Sequence, residues 1–344
     1  MSSSVQSYTV RPGLRGRVIG LGLGRSRFVG SGVGLLLGAC LGGGLVGTLA
    51  APALAKPEGA QVRAGDVKII QRGNTTVIRA SDRSIIDYSR FDVLKGERVR
   101  FVQPGASATV LNRITSDAPT MIDGSVRSNG IVYFANRAGV VFGPNAVLDV
   151  GGLYAAAGNI SSDDFLRGMN RFTEVDGSVV NQGVVDAKFA AMIGRTVANA
   201  GVISAPGGTV AMVAGRDVIL TERGGNLSVK VDAEALGLEA GGAGAKADAG
   251  AISGPGVENT GVINAGRGRA MMVAGDMYSL AVRNSGTVRG GQIDIAGRGS
   301  GRVEVSGRLS ARNTGPRLSG GEVTITGAEI DVRGASIDAS GARG

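Results

Sequence analysis

The 344-residue chain has no histidine and no tryptophan, and Cys40 is its only cysteine. Without histidine, His-based catalytic triads and the usual zinc clusters are excluded. Aromatic residues make up only 4% of the chain, so sugar-stacking platforms of the usual lectin kind are scarce. Acidic residues are missing from residues 1–55, whose five arginines supply more than half of the net charge of +9. The remaining residues carry only about +4, with basic side chains dispersed as on a solvated surface. The basic isoelectric point therefore overstates any affinity for nucleic acid, which is not expected as a partner.

Glycine, in contrast, is abundant, at 60 residues without a collagen-like period, beside an apolar content of 43% that is too high for a disordered chain. Together these imply short strands separated by tight glycine turns, with small residues where coils approach. Five segments rhyme: Asn181-Gln182-Gly183, Asn199-Ala200-Gly201, Asn259-Thr260-Gly261, Asn284-Ser285-Gly286 and Asn313-Thr314-Gly315. Two longer blocks, Val197 to Leu220 and Val257 to Leu280, match more closely. Such recurrence indicates a β-solenoid with rungs of about 20 to 25 residues. The recurrent asparagines are expected to bond turn backbone and neighbouring coils at each corner.

The N-terminal 55 residues read as a secretory signal. Arg11, Arg15, Arg17, Arg25 and Arg27 form a long basic region, and an apolar, glycine-rich stretch runs from Phe28 to Leu49. Ala53-Leu54-Ala55 offers the small–x–small pattern of signal peptidase, with Lys56 first in the mature chain. Leu37-Gly38-Ala39-Cys40 resembles a lipoprotein processing box and offers the alternative of a surface-anchored solenoid lipidated at Cys40. Cleavage after Ala55 leaves no cysteine, so no disulfide supports the mature fold.

From Ala60 to about Ile114 the strand pattern is irregular and suits a cap over the open solenoid end. It includes an expected hairpin of Val67–Ile70 with Thr75–Ile78 through Arg72-Gly73-Asn74. Residues 56–220 then form one unit of cap and coils. Within it, Ser161 or Ser162 begins a short helix favoured by Asp163 and Asp164. Residues 221–255 form an excursion, with a brief amphipathic turn at Asp232 to Leu238 and a Gly/Ala-rich loop from Gly241 to Gly250. Coils resume over 256–344. The alternating tail reaches Gly344 without a polar cap, so its last coil is expected to be covered by something else or to belong to a longer exoprotein.

Glycosidase or lyase chemistry needs paired carboxylates or a basic residue across a cleft. Asp163 with Asp164, Asp176, Asp186, and Asp294 with Asp331 are candidates, but Asp163 and Asp164 are accounted for by the helix start. The glycine string Gly20 to Gly24 lies inside the signal region, and no Gly-Lys-Ser/Thr phosphate loop follows elsewhere. A polysaccharide-active enzyme is therefore the weaker reading. No enzymatic activity, cofactor or metal is expected.

The segments Phe91-Asp92-Val93, Arg100 to Ala108 and Val110 to Ile114 resemble the N-terminal haemagglutination-activity domain of filamentous-haemagglutinin-like exoproteins of two-partner secretion. The likeness continues through Ile122 to Val126, Ser128-Asn129-Gly130, Val140 to Gly143, Val150 to Leu153 and Asn159 to Phe165. It is firmest over 60–220. The resemblance implies an all-β fold, a right-handed single-stranded parallel β-helix of the pectin-lyase-like kind with an N-terminal cap. It also implies export to the medium or cell surface, through periplasm and outer membrane, by an Omp85-like transporter. By resemblance, Asn112, Arg113 and Ile114, with Asn136, Arg137 and Gly139, belong to the recognition and nucleation region. Asn136-Arg137-Ala138-Gly139 departs from the family's common Asn-Pro-Asn-Gly: it loses a stiff turn and gains a charge. An adhesin-like role is implied, with a host or neighbouring-cell glycan or protein as ligand.

Overall fold

The computed structural model describes residues 6–11, 57–223, 226–232, 254–313, 315 and 319–342. The expected processing positions Cys40, Ala53 and Ala55, the turn beyond Asp232 and the loop at 241–250 lie outside the described residues.

Runs of three to six β-branched and polar residues, cut by Gly or Asn, become strands that stack in register on three faces. The first face runs upward from Thr75–Ala80 and Arg98–Val102 through Val184–Ala187, Val202–Ser204, Val262–Asn264 and Thr287–Arg289 to Ser336–Asp338. The second includes Ser84–Tyr88, Thr109–Ile114, Phe189–Gly194, Thr209–Ala214, Arg269–Ala274, Gln292–Gly297 and Glu322–Gly327. The long strands Ser125–Asn136 and Val147–Ala156 bend at Gly130 and at Gly151 and so serve both faces. The third stacks Thr120–Ile122, Gly139–Phe142, Ser178–Asn181, Thr196–Asn199, Val257–Asn259, Leu280–Asn284, Arg302–Val305 and Glu329–Val332. All these pairings are parallel, which establishes the expected β-helix.

In-register stacking places like residues on like. Val140, Val179, Val197, Val257, Val282 and Val303 form one buried column. Each such valine contributes about 1.5–3 kcal/mol relative to exposure. The two long matching blocks lie on adjacent rungs, paired at Val197 with Val257, Ile203 with Ile263 and Met212 with Met272. The two blocks thus stack directly on one another although residues 221–256 separate them in sequence.

The second face has a second core on its outer side. Short helix Ser162–Leu166, capped by the Ser161 hydroxyl accepting from the Asp164 amide, lies over it as expected. A three-stranded antiparallel sheet of Asn170–Phe172, Val218–Arg223 and Asn226–Val231 covers the rest. Where this cover lies, strands such as Thr209–Ala214 are buried continuously; beyond it, Gln292–Gly297 and Glu322–Gly327 alternate. Loss of the two-residue period therefore marks a sheet buried on both sides. Asn226–Val231, at the start of the expected excursion, forms a strand because Leu227, Val229 and Val231 all turn into this outer core.

The cap contains the expected hairpin, Val67–Arg72 with Thr75–Ala80, and Gln61–Ala64 antiparallel to Ser84–Tyr88. At the opposite end, Gln6–Val10 pairs antiparallel with Glu322–Gly327, burying Val10, while Arg11 lies 3.6 Å from Glu322. Part of the segment read as a secretory signal thus pairs along Glu322–Gly327, a contact that cleavage after Ala55 would remove.

Candidate functional site

The two expected recognition segments fall on adjacent rungs. Asn112, Arg113 and Ile114 pair in register with Phe134, Ala135 and Asn136, so the Asn136–Gly139 corner begins where the Asn112–Ile114 strand ends. The structure brings the two motifs together, yet it gives their side chains unequal access.

Asn112 and Ile114 point into the protein. Asn112 is fully buried and donates through Nδ2 to the Tyr133 carbonyl at 3.0 Å. Its Oδ1 has no partner among the described residues. Asn136 is also buried: Nδ2 donates to the Ala118 carbonyl and the Thr120 hydroxyl, both at 3.0 Å. Its Oδ1 accepts from the Ala138 amide at 2.9 Å, closing an Asx turn that stands in for the missing proline. Gly139 completes the corner at φ +126°, where an added Cβ would meet the Ser178 carbonyl at 2.9 Å.

The two arginines carry the site's accessible chemistry. Arg113 is 22% exposed and grips Asp87 through Nε at 2.8 Å and Nη2 at 3.2 Å. Its Nη1 reaches the Ile160 carbonyl and the Ser162 hydroxyl, tying the helical β-stack to the short outer helix. Arg63 supplies a second partner to Asp87 at 2.7 Å. Burial raises the Asp87 pKa, but the hydrogen bonds and charges of Arg113 and Arg63 outweigh it and hold the carboxyl below its ordinary range. Arg137 is 58% exposed and reaches across the corner to Glu174 at 2.8 Å and Asp176 at 2.9 Å.

Sequence reasoning named these two arginines but did not pair them with Asp87, Ser162 or Glu174, because the pairing depends on contacts between distant segments. An acidic residue in an otherwise apolar strand, Ser84–Tyr88, was the available signal for Asp87. The carboxylates weighed for glycoside chemistry are dispersed. Asp163 pairs with Arg167 on the helix, Asp176 with Arg137, Asp294 with Arg269 and Asp331 with Arg333. Asp294 and Asp331 stand on different faces of the β-helix, and Asp186 is exposed on the first.

Behind the corner, Tyr133 and Tyr154 stack with ring centroids 4.2 Å apart, and Phe165 meets Tyr133 edge-on at 5.2 Å. Asn170 joins both phenols, accepting from Tyr133 at 2.9 Å and donating to Tyr154 at 3.1 Å. This cluster locks the outer helix and sheet onto the rungs that carry the two motifs.

The chain is thus a capped parallel β-helix with a charged corner built on its early rungs. The profile of the TPS secretion domain matches residues 53–313, and the chain belongs to that two-partner secretion family, whose exoproteins are exported by a partner transporter. It is similar to the HMW1 secretion domain of Haemophilus influenzae at TM-score 0.62 and 23% identity, covering 83% of this chain and 74% of that one. It is also similar to the filamentous hemagglutinin secretion domain at TM-score 0.53 and 16% identity, covering 82% and 96%. In sequence it is 30% identical over 193 residues to a heme/hemopexin-binding protein of Haemophilus influenzae strain Rd, covering 52% of this chain and 21% of that protein. A second heme/hemopexin-binding protein of Haemophilus influenzae is 36% identical over 80 residues, covering 23% and 9%. The chain therefore spans about a fifth or less of these relatives' lengths.

Proposed function

We propose that residues 56–220 address this chain to an Omp85-like outer-membrane transporter and that the Asn112–Ile114 and Asn136–Gly139 corner is part of the surface it reads. The observation that supports this reading is the register of the two motifs on adjacent rungs, with Arg137 exposed above a rigid support. Residues 1–55 act as the leader, cleaved after Ala55. Stepwise stacking of rungs outside the cell supplies free energy for outward movement, since each rung is stabilised by the one before it. The released product is a non-enzymatic, adhesin-like β-helix in the medium or on the cell surface.

The direct test maps the processed N-terminus by mass spectrometry in cell and medium fractions, with and without the cognate transporter. A chain beginning at Lys56 and released only when the transporter is present supports the reading. A lipid-modified Cys40, or release without the transporter, overturns it.

A further inference from the structure

The turns joining the first and second faces lie one above another and form an open groove of about 570 Å³ beside the outer antiparallel sheet. Its floor is bare backbone for a steric reason. A Cβ on Gly208 would come within 1.8 Å of the Lys188 carbonyl oxygen, and one on Gly268 within 1.8 Å of the Gly208 carbonyl oxygen. Gly291 and Gly321 are constrained in the same way by Arg267 and Gly291 below them. Close stacking alone accounts for these glycines.

The side chains left to line the trough are what point to a ligand. Lys188, Arg267 and Arg312 are exposed along it, while Glu222 stands on the outer-sheet wall. Among the described residues, Lys188 and Arg267 have no ion-pair partner. Arg312 only weakly assists Asp338, whose carboxyl is lowered first by hydrogen bonds from Ser340. Arg269 is different: it is spent structurally, on Asp294 at 2.6 Å and on the Leu227 carbonyl of the outer sheet at 2.9 Å. Successive turns contribute Lys188, Gly208, Gly268, Gly291 and Gly321, so Lys188, Arg267 and Arg312 recur every second rung. Two rungs span about 9.5 Å, close to a disaccharide step in an extended glycan.

We infer that this groove binds an acidic, uronate-bearing oligosaccharide, with one carboxylate per disaccharide meeting each cation and hydroxyls meeting the peptide floor. The lining favours this class over its neighbours. Phe189 is the groove's one aromatic residue, and it packs on Tyr154 at 4.9 Å, so neutral sugars and unstacked bases lack the platforms they need. Glu222 adds an acceptor for sugar hydroxyls while disfavouring a uniformly charged phosphate backbone. This inference does not depend on the export reading, because it concerns the folded chain.

The test titrates the full chain with a galacturonate hexasaccharide, its methyl-esterified counterpart and a hexadeoxynucleotide, by calorimetry at two salt concentrations. Binding of the free acid only, weakening with salt, is the expected result. Arg267→Ala should weaken it about tenfold, the loss of one charge-assisted hydrogen bond, and Lys188→Glu should weaken it further. Arg127→Ala, on exposed Arg127 that lies 3.9 Å from Asp149 on the first face, should leave it unchanged. Circular dichroism of each variant separates lost binding from lost folding, and charge reversal by Arg267→Glu provides a second variant. Equal binding of the methyl ester or the oligonucleotide, no binding of the acid, or insensitivity of folded Arg267 and Lys188 variants overturns the inference.

Discussion

The side-chain amide of Asn199 donates to that of Asn259 at 2.8 Å, although 60 residues separate them. The bond belongs to a buried ladder in which Asn181 donates to Asn199 at 2.8 Å and Asn259 to Asn284 at 2.7 Å. Identical corners on consecutive rungs thus satisfy one another, and the excursion between them does not disturb the repeat. Phe142 lies beneath the ladder and Val305 above it, so apolar residues close both ends.

Breaking the ladder at its middle should therefore be more harmful than breaking it at its end. Asn199→Ala leaves the Asn181 amide and the Asn259 oxygen without their strongest partners, and about 1–3 kcal/mol is expected for each buried group so orphaned. Asn284→Ala removes the partner of the Asn259 amide and a long 3.5 Å bond to the Gly286 carbonyl, and should lower stability less. Thermal unfolding of both variants checks the order; equal shifts would show that the amides do not act as a connected series.

Glycines divide into two mechanical classes that substitution distinguishes. Gly73 takes φ +57° in the cap hairpin with open space around it, so Gly73→Ala should cost about 1 kcal/mol through backbone strain. At Gly268 the obstacle is the next rung's carbonyl, and Gly268→Ala must push two coils apart, with a loss of about 3 kcal/mol or more. Denaturant melts of the pair measure the contrast. Comparable losses would mean that the stack relaxes around an added methyl group.

Much of this architecture was legible because a solenoid writes its neighbour relations into the sequence as repeats. The Asn corners, the cap hairpin and the helix at Ser162–Leu166 all follow from local chemistry. Asn313 did not follow the rhyme: Val305 occupies the ladder position above Asn284, and Asn313 instead heads a later turn bonded to the Ser340 carbonyl. Motif spelling alone could not separate these positions: Asn284 ends a third-face strand, whereas Asn313 follows the first-face strand Arg308–Ser310. The outer sheet and the Arg113–Asp87 pair were hidden for a related reason: strands Asn170–Phe172 and Val218–Arg223 meet only after several rungs have formed.

Burial also sets an alkaline limit on the fold. Tyr154 is pushed up to about 12 by burial, and burial likewise raises the phenols of Tyr88, Tyr133 and Tyr278. An unfolded tyrosine ionises near pH 10, so the unfolded chain releases protons before the folded one. The stability held by the neutral phenols is complete below about pH 10 and falls as pH rises towards about 12. Tyrosinate absorbance from these residues should appear together with loss of the β-sheet signal. Ionisation of all four in a still-folded protein would contradict the assignment.

Arg113 and Arg137 allow folding and export to be separated, because they sit on one corner with different mechanical duties. Arg113→Ala removes two bonds to Asp87 and the link to the Ser162–Leu166 helix, so stability should fall by about 1.5–3 kcal/mol, as for a charge-assisted bond. Arg137→Ala removes pairs that are more than half exposed on both sides, so solvent screening leaves little stability to lose. Secretion through the cognate transporter is then measured for both, beside thermal melts of each purified variant. If the corner is read by the transporter, Arg137→Ala lowers release while its melting temperature stays near that of the parent. If release follows melting temperature alone across the two variants, the corner matters only as support for the early rungs, and recognition must lie elsewhere on the cap.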